Sequence, residues 1–358
     1  MKILFITDLY PVNEKTEKTT PKTLLNFVKE WQNQGHKVDV IKPNFILNSF
    51  LRGKPFYKTG KYGNVLNINY WTPFMGNIKE KLPKDMQPSN YDIVIAHMPS
   101  GILFAEKLKV PFVAGVHNSD LEILTNPLYK FYFKKRLKNA LNKAKAIACR
   151  SYVIKNKLLN LYPEFERKTF VEPSGIETPP HPPSAPSHTN GEKALTVLTC
   201  ANFKKRKNID KLILACKGRF DLTIIGDGKI RKKLEKLNNN ATFTGWLPSE
   251  EVQKQMQKCD VFVLPSVGET FGMVYLEAMS QGCITVCTKN DGIDGIIKDG
   301  ENGFLTEPTI NGIKNTLEKI NSLTPAERES LINSGFKTLS TLTPNICATK
   351  YLQQIVTI

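Results

Sequence analysis

Strand-like and helix-like segments alternate along this chain in two separate runs, divided by one proline-rich stretch. The first run opens with Lys2-Ile3-Leu4-Phe5-Ile6-Thr7, an apolar, β-rich segment that stops at Asp8. A polar loop leads to Thr20-Pro21, which reads as N-cap and first residue of a helix. That helix carries Leu24, Leu25, Val28 and Trp31 at helical spacing and stops at Gly35. His36-Lys37-Val38-Asp39-Val40-Ile41 follows as a second strand. Strand, helix and strand so close together form a βαβ unit, whose strands run parallel. Tyr91–Ala96 and Pro111–Val116 read as central strands, residues 128–145 as a basic helical stretch, and Ala146–Cys149 as another strand.

Pro173, Pro179, Pro180, Pro182, Pro183 and Pro186 then fall among Ser, Thr, His and Gly, a composition suited to a linker. Beyond it the alternation restarts. Strands are expected at Leu195–Cys200, Asp221–Gly226, Ala241–Thr244, Val261–Leu264 and Ile284–Cys287. Helices are expected at Ile209–Ala215, Arg231–Leu237, Val252–Lys258 and Met273–Ser280. At 358 residues the chain also exceeds the ~250–300 that one core usually serves. The expected organisation is therefore two doubly wound α/β domains, 1–172 and 194–340, joined by a linker over 173–193. A last helix within 341–358 is expected to cross back to the first domain. Such domains bind ligands at the carboxyl ends of their strands, so the expected site is the cleft between them.

Composition removes several alternatives. Hydrophobic residues make up 41% and charged residues 23%, which excludes global disorder. No apolar run approaches the ~18 residues of a transmembrane helix. The first apolar run ends at Asp8, too early for a secretory leader, so a cytoplasmic protein starting on a buried strand is expected. Seven scattered cysteines without a CxxC pair read as small buried hydrophobes. The net charge of +17 is uneven: residues 1–172 hold 28 Lys and Arg against 14 Asp and Glu, residues 173–358 hold 22 against 19. A basic first half suits either an anionic partner or a solvated, lysine-rich surface. The stretch Phe131-Tyr132-Phe133-Lys134-Lys135-Arg136-Leu137-Lys138 leaves the same choice open, between an anionic membrane surface and an ordinary amphipathic core helix.

The segment richest in chemistry is Leu264-Pro265-Ser266-Val267-Gly268-Glu269-Thr270-Phe271-Gly272-Met273, continuing to Glu277 and Gly282. A strand ends at Leu264, a turn carries Glu269, and a helix starts near Met273. The first amides of that helix lack intrahelical partners and lie at its positive end, where a phosphate is favoured. Glu269 before the terminus and Glu277 within the helix can accept hydrogen bonds from sugar hydroxyls on either side. Equally, Glu269 can simply favour the helix dipole and Glu277 be a surface charge.

Glu269-x7-Glu277, with Thr270-Phe271-Gly272 and Ala278-Met279, resembles the signature of family 4 of the retaining glycosyltransferases, which have the GT-B fold. Further resemblances fall in order along the chain: Gly35-His36-Lys37-Val38, Glu172-Pro173-Ser174-Gly175-Ile176, Ile224-Ile225-Gly226-Asp227-Gly228, Phe243-Thr244-Gly245-Trp246-Leu247, Asp291-Gly292-Ile293-Asp294-Gly295 and Asp299-Gly300-Glu301-Asn302-Gly303-Phe304. The resemblance implies two Rossmann-like domains facing each other across a cleft.

It also implies roles. Glu277 would hold the ribose hydroxyls of a nucleotide diphosphate sugar and Glu269 the hydroxyls of the transferred sugar. The amides of Phe271, Gly272 and Met273, next to Thr270, would lie against sugar and diphosphate, and Leu247 near the nucleotide base. Lys207 fits the family's diphosphate-binding Lys, while Asn202 stands where the family has Arg; Arg206 or Lys205 would supply the second charge. Cations belong there because negative charge builds on the leaving diphosphate. His117, after a predicted strand, would contact the transferred sugar near the reacting carbon, although a lone His is more often structural. The family's Gly pair after the first strand is missing; Thr19 or Thr20 would replace its contact with the donor.

The function expected is a retaining hexosyltransferase without metal or other cofactor, since no Asp-x-Asp stands at a strand end. It would move a hexose or N-acetylhexosamine from a UDP-sugar, rather than a GDP-sugar, to a saccharide acceptor. The acceptor expected is a lipid-linked precursor of a surface polysaccharide, met at the inner face of the cytoplasmic membrane. Two alternatives stand beside it. A nucleotide-sugar epimerase of the same fold would form product from donor alone. A non-enzymatic polyanion binder would use the basic half, but no nucleic-acid-binding motif accompanies it, so no nucleic-acid partner is expected.

Overall fold

Buried apolar runs of four or five residues form the centres of two sheets. The computed structural model describes residues 1–18, 20–51, 53, 56–71, 82–129, 133–177 and 194–357. Met1–Arg150, Ile154–Ser174 and Pro344–Ile358 make up a first unit, Ser151–Val153 and Gly175–Thr343 a second.

The first unit holds β1 (Lys2–Ile6), β2 (Lys37–Phe45), β3 (Gly60–Tyr62), β4 (Val65–Tyr70), β5 (Ile93–His97), β6 (Val113–Val116), β7 (Ala146–Cys149) and β8 (Thr169–Val171). Their order in the sheet is β3-β4-β2-β1-β5-β6-β7-β8. Every pairing is parallel except β3 with β4. Ile3, Leu4, Phe5 and Ile6 are all buried, as a parallel strand covered on both faces requires. The helix Lys22–Asn33 buries Leu24, Leu25, Phe27, Val28 and Trp31, and ends where Gly35 takes φ +82°.

The second unit holds β9 (Thr196–Cys200), β10 (Asp221–Ile225), β11 (Thr242–Gly245), β12 (Val261–Leu264), β13 (Ile284–Thr288) and β14 (Phe304–Thr306). All six run parallel in the order β11-β10-β9-β12-β13-β14. The winding direction reverses between β9 and β12. The loops leaving their carboxyl ends therefore emerge side by side, the arrangement that places ligands in open α/β sheets.

Several expectations need correction. The polar loop after β1 contains a short helix, Glu14–Glu17, capped by Asn13, whose Oδ1 accepts from the Thr16 amide at 3.0 Å. Thr20 does not cap the next helix: its hydroxyl donates to the Thr16 carbonyl at 2.8 Å, and Pro21 takes the cap position. β2 runs to Phe45, beyond Ile41, because β4 supplies a partner that extends it. Among the described residues, the basic stretch 128–145 is α-helical over Phe133–Lys143, with a 3-10 turn at Pro127–Tyr129 before it. Its Phe131 and Tyr132 lie outside the described residues, as do Thr19 and most of the proline-rich stretch. Residues 173–177 carry no regular structure. Six of the seven cysteines are buried, and Cys200 is half-buried.

The last helix, Pro344–Thr357, packs within the first unit. The Ala348 carbonyl accepts from Trp31 Nε1 at 3.0 Å, and the Tyr351 ring sits among Phe27, Trp31 and Phe170.

Candidate active site

β12 ends at Leu264, and Pro265 to Gly272 turn the chain into the helix Met273–Ser280. Gly272 makes the turn at φ +92°; a Cβ there would meet the Tyr275 ring at 2.5 Å. Tyr275 in turn donates to the Leu264 carbonyl at 2.8 Å and ties the helix to the strand end.

The loop after β9 docks onto this turn. Lys205–Lys207 form one 3-10 turn, and Asn208 ends it in the left-handed region at φ +49°. Asn208 Nδ2 donates to the Pro265 carbonyl at 2.8 Å, and the Val267 amide donates to the Arg206 carbonyl at 2.8 Å. These bonds deliver two cations to Glu269. Its Oε1 accepts from Lys207 Nζ at 2.5 Å, Arg206 NH1 at 2.7 Å and Ser266 Oγ at 2.9 Å. Glu269 and Lys207 each expose 13% of their side chains and Arg206 44%, so the Lys207 pair is the better shielded.

Burial works against ionisation of Glu269. The charges of Lys207 and Arg206 and the bonds from Lys207 and Ser266 outweigh it, so the carboxyl titrates below its usual range. Cys200, at the end of β9, is pushed up to about 11, first by burial and then by the charge of Glu277, with Lys207 pulling the other way. Glu277 and Lys207 are thus both close enough to β9's carboxyl end to act on one thiol. Glu277 itself is half-buried on the helix.

A third carboxylate completes the turn. Asp291, buried on the loop after β13, accepts from the Glu269 amide through Oδ1 and from the Gly268 amide through Oδ2, each at 2.7 Å. Gly292 lets that loop close in, since a Cβ on it would stand 3.0 Å from Glu269 Cβ. In the sequence Asp291 stands out only within a resemblance, and Ser266, Tyr275 and Cys200 carry no plain sign of a role. The strand–Ser/Pro–turn spacing could have suggested Ser266, but nothing local links Asp291 to Glu269.

The remaining expected residues of the second unit lie on these same two loops, after β9 and β12, except Leu247, which follows β11. Asn202 and Lys205 are exposed, and the Asn202 carbonyl accepts from the Lys204 amide at 2.8 Å. Thr270 and Met273 are half-buried, as is Leu247 beyond β11; the Phe271 side chain is buried. Among the described residues no group of three or more His, Cys, Asp and Glu could hold a metal ion, and no helix is long and apolar enough to cross a membrane.

His117 belongs to the first unit, where it precedes the helix Asn118–Thr125. Its amide donates to Asp120 Oδ2 at 2.8 Å. Its Nε2 lies 3.0 Å from His97 Nδ1, and His97 Nε2 lies 2.8 Å from the Tyr351 hydroxyl. Gly115 leaves room for the His97 ring, which a Cβ would meet at 2.2 Å. Burial, then nearby positive charge including Arg150, holds both imidazoles well below the usual histidine range. Both are therefore neutral hydrogen-bonding groups.

Comparison with known proteins gives this geometry a context. Residues 183–338 match the model of the glycosyl transferases group 1, and residues 21–179 that of glycosyltransferase family 4. An uncharacterized glycosyltransferase of Methanocaldococcus jannaschii is 30% identical over 269 residues, 70% of this chain and 73% of its own. The putative teichuronic acid biosynthesis glycosyltransferase TuaC of Bacillus subtilis is 25% identical, covering 83% of each chain. Among solved structures, HepE of Anabaena in complex with UDP aligns over 100% of both chains with a TM-score of 0.71 at 16% identity. The apo lipopolysaccharide outer core galactosyltransferase WaaB aligns over 100% of this chain and 99% of its own, with a TM-score of 0.72 at 17% identity. The chain, with its two parallel-sheet units, thus belongs to the group 1, family 4 glycosyltransferases and has their GT-B fold.

Proposed function

We propose that this enzyme is a retaining hexosyltransferase that takes a hexose or N-acetylhexosamine from a UDP-sugar. The observation that carries this reading is the Lys207–Glu269 pair between the carboxyl ends of β9 and β12, beside the first turn of the helix Met273–Ser280. Lys207, Arg206 and Lys205 supply the positive charge a leaving diphosphate requires, and the amides of Phe271, Gly272 and Met273 add fixed dipoles. With those charges in place, we propose a reaction without a metal ion. Glu269 holds sugar hydroxyls and Glu277 the ribose. Asn202, Thr270 and Leu247 complete the donor site of the second unit. His117 is the first unit's catalytic residue in this reading.

The bond from the acceptor oxygen to the anomeric carbon forms on the face from which the phosphate leaves. The leaving phosphate oxygen takes the acceptor's proton, so no enzyme nucleophile is needed. The chain's part is positioning and charge stabilisation. HepE structures with UDP and UDP-glucose support the choice of donor. The names of TuaC and of the Rhizobium meliloti lipopolysaccharide core glycosyltransferase LpsE support a saccharide acceptor in surface polysaccharide synthesis. A lipid-linked acceptor, met at an anionic inner membrane face by the basic first unit, fits that chemistry and the charge excess.

Thermal stability against a panel of nucleotides and nucleotide sugars tests the reading. A ligand at 100 times its dissociation constant adds about 2.7 kcal/mol. UDP or a UDP-sugar should raise the melting temperature, and Glu277→Ala should abolish the rise. A rise with GDP-sugars alone would move the donor to that class, for which a Corynebacterium glutamicum relative, 37% identical over 25% of this chain, is named.

A further inference from the structure

We infer that Asp291 is the residue through which this enzyme reads the transferred sugar: it positions Glu269 and leaves the nucleotide half of the donor alone. The inference rests on the donor site just proposed and adds the source of its sugar selectivity.

Asp291 uses both carboxylate oxygens on backbone, one on the Glu269 amide and one on the Gly268 amide, each at 2.7 Å. Two consequences follow. These two amides are already filled by an anion, so a donor phosphate is left the amides from Phe271 to Met273. The backbone of Glu269 is also fixed by Asp291, while Lys207, Arg206 and Ser266 bond its side chain through Oε1. Oε2 is not among those acceptors and is the atom offered to a sugar hydroxyl. Gly292 lets the Asp291 loop lie close to Glu269, since a Cβ on it would stand 3.0 Å from Glu269 Cβ, and the two amide bonds pass a shift of the clamp on to Glu269. A carboxylate displaced by even an ångström loses most of a hydroxyl contact, whereas Glu277, on the helix, keeps its position.

The test is a double-mutant cycle on the full chain, read by calorimetric titration with UDP, UDP-glucose, UDP-galactose and UDP-N-acetylglucosamine. In wild type, at least one sugar nucleotide should bind more tightly than UDP. Asp291→Ala should leave UDP affinity within about twofold and cut the sugar's advantage about tenfold, the size of one lost hydroxyl contact to a charged group. In a Glu269→Ala background, Asp291→Ala should change nothing further. Asp291→Asn keeps the volume and one acceptor, and the cycle is run with it if Asp291→Ala does not fold. Effects that add independently, or a UDP affinity that falls with the sugar's, would overturn the positioning role and leave the donor site standing. If wild type binds none of these ligands, both the UDP-donor reading and this inference fall together.

Discussion

Two polar clusters stand at strand ends of this enzyme, and physical chemistry treats them in opposite ways. In the first unit, His117, His97 and Tyr351 form a buried chain of neutral groups next to the buried Arg150. In the second, Glu269 keeps its charge, surrounded by Lys207, Arg206 and Ser266 with part of each ion reaching solvent. Burial has its way with the imidazoles because, among the described residues, no carboxylate is paired with either ring. It loses at Glu269 because two cations stand within bonding distance. A neutral, packed cluster holds shape, whereas an ionised, half-shielded one can, in the function proposed above, exchange partners with an incoming diphosphate.

Removing Arg150 should give the largest effect and break the first side of the comparison. Its guanidinium bonds the Glu172 carboxylate and the Ser174 hydroxyl, with both ions about 1% exposed. Arg150→Met leaves Glu172 unpaired in the core and should cost about 3–5 kcal/mol in denaturant unfolding. The cost should be smaller at pH 5 than at pH 8, because a protonated Glu172 needs no partner.

On the second side, Lys207→Ala should lower the transfer rate about 10²- to 10³-fold, roughly 3–4 kcal/mol of barrier, with little change in unfolding. It should also raise the Glu269 titration, measured by carboxyl NMR. A rate loss below threefold would move the leaving-group charge elsewhere.

The subtlest contrast is a pair of opposite pH slopes. Burial, against the pull of Arg150, pushes Glu172 up to about 7. Its folded value lies above the unfolded one, so its contribution is full below about pH 4.5 and fades as pH rises toward 7. Glu269 is shifted down, so its contribution is full above about pH 4.5 and fades as pH falls through its folded value. Glu172→Gln should flatten the first slope and Glu269→Gln the second, read from stability at several pH values. Equal slopes in both variants would show that the two carboxyls share one environment.

Much of the second unit was legible locally. Met273–Ser280 begins and ends where sequence placed it, because Gly272 and Gly282 mark both ends of an apolar helix. β12 was equally plain, four apolar residues bounded by Asp260 and Pro265. Less was legible where partners lie far along the chain. β2's extension depends on β4, and Thr20's failure to cap depends on Thr16 competing for its hydroxyl. The site followed the same rule. Glu269 and Glu277 stood out by their place around the helix start, and their roles, with Lys207, came from resemblance, while the clamp by Asp291 and the approach of Arg206 are contacts over 22 and 63 residues of sequence.

The sequence by itself determined the strand–helix alternation, the proline-rich break, the helix start at Met273 and the family these belong to, because periodicity, turn residues and motif order are properties of short segments. Tertiary structure alone decided which carboxylates stay charged. Ionisation depends on how many cations, amides and how much water surround each oxygen, and those neighbours are assembled only when β9, β12 and β13 lie side by side.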